Sequence, residues 1–84
     1  MLKIKDNIDL KELEKFGLKL RYACDEETGI TSVSIIYTHT KRDNLLYSIK
    51  FVNYSGVYIL EYTDIDGWGI LYDLIKADLV EKVD

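Results

Sequence analysis

Eighty-four residues without proline, with one cysteine and a formal charge of −4, predict one small domain spanning 1–84. With 48% hydrophobic and 31% charged residues, the composition is that of a globular chain and excludes a disordered one. No apolar run approaches the roughly 20 residues of a membrane-spanning helix. One cysteine and one histidine also build neither a disulfide framework nor a zinc site.

The first six residues alternate apolar with charged side chains and contain no apolar signal core, so a cytoplasmic protein is expected, with no membrane association. Charge is graded along the chain: +2 over residues 1–24, −1 over 25–60 and −5 over 61–84. An acidic C-terminal third weighs against non-specific DNA binding, whose affinity comes from clustered cations on phosphates.

In chain order, the first predicted element is a helix. Asp9 is a good N-cap, with Glu12 completing a capping box and Ile8 with Leu13 a hydrophobic staple. Leu10, Leu13 and Phe16 share one face, Gly17 ends the helix in a left-handed conformation, and Leu18 folds back on Leu13. Four runs of period two follow. Leu18, Leu20, Tyr22 and Cys24 form one face of the first run, and after the turn Asp25–Gly29 so do Val33, Ile35 and Tyr37 of the second. The polar stretch Thr38–Asn44 predicts a turn before the third run, where Leu45, Tyr47, Ile49 and Phe51 alternate with Leu46, Ser48, Lys50 and Val52. Asn53–Gly56 turns into the fourth run, Val57–Tyr62, which is apolar on both sides and therefore needs cover on both. Asp64 or Asp66 caps a second helix to about Ala77, with Ile70, Leu71, Leu74 and Ile75 on its apolar face. Leu79–Val83 alternates like a short strand and is a candidate to pair with Leu2–Lys5.

Short turns make consecutive antiparallel pairing the simplest topology. The predicted fold is two-layer α+β: a four-stranded antiparallel meander with an N-terminal and a C-terminal helix on one face. The opposite face would expose Lys19, Arg21, Ser32, Ser34, Ile36, Leu46, Ser48, Lys50 and Val52, and is the first place to look for function.

No constellation of catalytic type emerges. His39 sits in a polar stretch with Asp43 near it but no nucleophile, and reads as an exposed turn residue. Cys24, next to Asp25, Glu26 and Glu27, lacks the cationic setting of a reactive thiol and reads as a buried, inert one. Asp64-Ile65-Asp66-Gly67 echoes a calcium loop, but Tyr62 and Asp73 occupy its first and last ligand positions, so helix capping explains the acids better. Trp68, between Gly67 and Gly69, either plugs one end of the core or anchors a partner. Lys41 and Arg42 with Lys19, Arg21 and Lys50 make a modest cationic patch. RNA-reading sheet faces carry exposed aromatics, and this register gives the open face none unless it slips by one residue.

Residues 4–17 (Ile4-Lys5-Asp6-Asn7-Ile8-Asp9-Leu10-Lys11-Glu12-Leu13-Glu14-Lys15-Phe16-Gly17) and the segment from Leu71 to Val83 resemble small uncharacterised proteins of low-GC Gram-positive bacteria and their phages. The similarity covers about a third of the chain, all of it structural punctuation. A glycine often stands in those proteins where this chain has Asp78, which fits a helix end there. The resemblance implies a mobile-element origin and a cytoplasmic home, and transfers no site residue.

The expected function is therefore that of a non-enzymatic accessory protein, without cofactor or metal, acting on an unidentified protein partner. Contact residues would be Lys19, Arg21, Ile36, Lys50, Val52 and Trp68. Seven tyrosines, the two-sided fourth strand and the polarised charge motivate this expectation. An acidic inhibitor imitating phosphates is one version of it, and a nucleic-acid module on the open face is the alternative. A homodimer is expected because the fourth strand and the small core both need more cover.

Overall fold

The computed structural model describes residues 1–41 and 44–83, and gives the backbone alone for 39–41, 44 and 45. Its elements are β1 (Leu2–Ile4), α1 (Leu10–Glu14), β2 (Lys19–Cys24), β3 (Thr31–Lys41), β4 (Asn44–Tyr54), β5 (Val57–Thr63), a 3-10 turn (Ile65–Gly67), α2 (Trp68–Lys76) and β6 (Val80–Lys82).

Asp9 caps α1 by accepting from the Lys11 amide at 3.0 Å. The reciprocal half of the expected capping box is replaced by an ion pair, Glu12 taking the Lys15 ammonium at 3.2 Å. At the other end the Leu18 amide reaches the Leu13 carbonyl at 3.3 Å and the Gly17 amide the Glu14 carbonyl at 2.9 Å, the paired bonds of a Schellman ending. Gly17 holds φ +88° there, and the Tyr37 ring packs where a side chain would stand. α2 ends in the same way through Leu79 to Leu74 and Asp78 to Ile75, with Asp78 at φ +63° in the place of the glycine.

The class is α+β as expected, with all strands antiparallel, but the sheet has six strands in the order β2-β3-β4-β5-β1-β6. The four-stranded meander is its larger part. The candidate pairing of the chain ends is present, as Leu2 opposite Lys82, Lys3 opposite Glu81 and Ile4 opposite Val80. β1 also pairs with β5, Lys3 facing Ile59, so β5 is an interior strand. This pairing takes up the second edge of β5 and leaves Val57 and Ile59, on its second face, half-buried.

Both helices lie on one face, over a core of Ile4, Leu13, Leu18, Ile35, Ile49, Phe51, Leu71, Leu74, Leu79 and Val80. Burial of this apolar set drives folding, at roughly 1.5–3 kcal/mol per large side chain. α1 has only five residues, and the β2–β3 hairpin projects beyond it. All of residues 21–32 are exposed in consequence, including two expected in the core: Tyr22, at 67%, and Cys24. Their strand face is as predicted, but no helix reaches it.

The expected turn over Thr38–Asn44 is also corrected, since Thr38–Lys41 and Asn44 are strand. β3 continues to Lys41 and β4 starts at Asn44, with Thr38 opposite Tyr47. The reading of His39 as a turn residue is corrected to strand at the backbone level, and its side chain lies outside the described residues, as do Arg42 and Asp43.

Candidate interaction surface

Two bulges decide what the open sheet face displays. Tyr37 faces Ile49 but Thr38 faces Tyr47, leaving Ser48 as an extra residue in β4. Ser48 and Ile49 are both fully buried, so alternation reverses at this point. Ser48, expected on the open face, turns inward, and Tyr47, expected in the core, turns outward. There the Arg21 guanidinium carbon lies 4.9 Å from the centre of the Tyr47 ring. In β5, Lys50 faces Tyr62 and Phe51 faces Leu60, which makes Glu61 a second extra residue. Glu61 and Tyr62 line a shallow depression together with Tyr47 and Lys50.

The bulge in β4 is tied to the start of α2. The Ser48 carbonyl accepts from the Asp64 amide at 2.9 Å. Asp64 in turn caps the 3-10 turn through the Gly67 amide, also at 2.9 Å. A Cβ on Gly67 would stand 2.3 Å from the Ser48 carbonyl oxygen, so glycine is what lets the turn close on the strand. The acids at 64–67 thus include a helix cap, as the sequence suggests.

Cross-strand pairing then sets two rows on the open face. One runs through all six strands: Arg21, Ser34, Val52, Ile59, Lys3 and Glu81. The other runs Lys19, Ile36, Lys50 and Tyr62. Five of the six predicted contact residues, Lys19, Arg21, Ile36, Lys50 and Val52, therefore share one surface. A hollow of about 190 Å³ between Arg21, Ser34, Lys50, Val52 and Glu61 lies near its middle. Two of the cations are tempered, Lys50 by Glu61 at 3.9 Å and Lys3 by Glu81 at 3.2 Å. Lys19 has no carboxylate within 4 Å among the described residues.

Trp68 does not join them. It lies on α2, on the other side of the sheet, 60% exposed, so the core-plug reading is corrected: Gly67, Leu71 and Leu74 fill that space. Sequence reasoning missed Lys3, Tyr47, Ile59, Glu61 and Tyr62 as members of the open face. Nothing in the alternation Leu45-Tyr47-Ile49-Phe51 marks the break at Ser48; only the register shows it.

On the helix side a cleft of about 360 Å³ opens between the β1–α1 loop and the sheet, lined by residues that include Ile4, Ile8, Leu13, Leu20, Ile35 and Tyr58. Its polar rim is Lys5, Asp6 and Asn7, a set without a nucleophile and base in contact. Among the described residues no three His, Cys, Asp or Glu side chains converge. Nor is any helix among them long and apolar enough to cross a membrane. Comparisons with protein-family models, with curated proteins and with solved structures found no match.

Proposed function

We propose that this chain is a small non-enzymatic binding protein whose open sheet face docks on a protein partner. The row Arg21–Ser34–Val52–Ile59–Lys3 carries the reading: an aliphatic centre, Val52 and Ile59, rimmed by cations and flanked by Ile36 and Tyr62. A dry apolar centre inside a polar rim, with arginine and tyrosine enriched, is the usual anatomy of a protein interface. The phosphate-mimic version draws less support. Asp64 is occupied as a cap, while Glu61, Asp78 and Glu81 are paired with Lys50, Lys5 and Lys3.

A second reading, single-stranded nucleic acid on the same face, is favoured by one observation: the bulges place Tyr47 beside Arg21 and Tyr62 beside Lys50. Stacking of bases on such rings is sequence-tolerant and needs a cationic track. Against it stand Glu61 and Glu81 within the face and the net charge of −4.

The test is capture from lysate of the source cell by the tagged wild-type chain and by Val52→Lys/Ile59→Lys, with and without nuclease. A stoichiometric protein that survives nuclease and is lost with the double variant is the expected result. Capture that is unchanged by the double variant removes the open face from the account. Nuclease-sensitive capture that weakens steeply with salt replaces the protein partner with nucleic acid.

A further inference from the structure

Ile65, Trp68, Tyr72 and Ile75 are exposed by 85%, 60%, 61% and 47%, although each is a large apolar or aromatic side chain. They follow one another at intervals of three, four and three residues, so they form one stripe along the 3-10 turn and α2. The stripe is separate from the face that Leu71 and Leu74 bury against the sheet. A helix with two apolar faces, only one of them covered, is a docking element.

The order of the stripe identifies its occupant. Aliphatic, aromatic, aromatic, aliphatic is symmetric about Ile70, so two copies of α2 laid antiparallel present the same side-chain types to each other. That self-complementarity is what an isologous two-fold interface requires. The charges agree with it. Asp66 stands at the start of the stripe and Lys76 at its end, where it now covers the Tyr72 ring at 5.5 Å. In the antiparallel pairing each Lys76 comes to the acidic end of the other helix. Asp73 comes opposite Gly67 of the partner subunit, one residue along from the partner's Asp66, and this like-charge approach offsets part of the gain. The opposed helix dipoles favour the same arrangement.

We infer that a second copy of this chain docks on the stripe. Ile65 lies against Ile75 of the partner subunit, and Trp68 against Tyr72 of the partner subunit. Because an aromatic side chain buries about 150–250 Å² in full, four residues this exposed offer on the order of 400 Å² per protomer. The total, near 800 Å² before flanking residues, is below the standard interface of about 1,600 Å², so the dimer is weak and dissociates on dilution. It stacks the molecules helix side to helix side and leaves both open sheet faces outward. The inference stands independently of what those faces bind.

Trp68 is the sole tryptophan, so the interface reports on itself. Sedimentation velocity and tryptophan emission are followed across a concentration series for the wild type, Tyr72→Asp and Ile75→Asp, with far-ultraviolet circular dichroism confirming folding. Expected are a wild-type shift from monomer to dimer with a parallel blue shift of emission, and a loss of both in the two variants, whose exposed positions leave the core intact. A wild type that stays monomeric throughout, or a dimer indifferent to Tyr72→Asp, overturns the inference. The register is tested in a Cys24→Ser background by mixing Ile65→Cys with Ile75→Cys under mild oxidation. Mixed disulfides should exceed like-with-like disulfides, and the reverse outcome overturns the antiparallel arrangement.

Discussion

In the centre of the sheet Leu20, Ile35, Phe51 and Leu60 stand opposite one another across four strands, with Ile35 and Phe51 buried under the helices. Two positions along the β2–β3 hairpin, Tyr22 stands opposite Val33 on the same face and is exposed to water. The strands alternate equally well in both places, so alternation specifies a face and a helix decides whether that face is interior. Where α1 stops after five residues, the pattern continues without its burial.

This contrast is broken most severely from the covered side. Phe51→Ala should cost about 3–5 kcal/mol, a large part of the stability of so small a domain, seen as a collapse of the thermal unfolding midpoint. Next is Gly67→Ala, whose methyl group would run into the Ser48 carbonyl. A loss of about 1–3 kcal/mol is expected from such overpacking, measured by urea denaturation. The two Schellman endings sharpen the point at smaller scale. Gly17→Ala forces a side chain into left-handed backbone against the Tyr37 ring and should cost about 1–2 kcal/mol or more. Asp78→Gly relieves the same backbone cost but removes the exposed Lys5–Asp78 ion pair, so its net effect should stay within about 1 kcal/mol. The overhang should be nearly silent: Tyr22→Ala and Cys24→Ser are expected within about 0.5 kcal/mol of wild type. Cys24 should also react fully with a thiol reagent in native buffer, whereas a core position would require unfolding.

The sequence made the local punctuation legible. Asp9 and Gly17 bound the first helix, Asp64 caps the entry to the second, and Leu79–Val83 declares a strand, because each signal is carried by a few adjacent residues. Most of the open face was legible too, since Lys19, Arg21, Ile36, Lys50 and Val52 follow from a period of two. The bulges were not. An extra residue at Ser48 or Glu61 is stabilised by contacts distant in sequence, Ser48 by the Asp64 amide and the bare Cα of Gly67, and no local pattern encodes them. Of the two readings of Trp68 the core plug fails: a large aromatic at a helix entry suits a core, but Leu71 and Leu74 take the buried face of α2 and Trp68 stays exposed.

The character of the open face depends on the side taken by Tyr47, and nuclear Overhauser contacts from its ring protons test that most directly. Contacts to the Arg21 side chain, with upfield-shifted Arg21 methylene protons and none to Leu13, Leu71 or Leu74, are the expected result. Contacts to those three leucines instead would put Tyr47 in the core, abolish the bulge at Ser48 and contradict the surface described for partner binding.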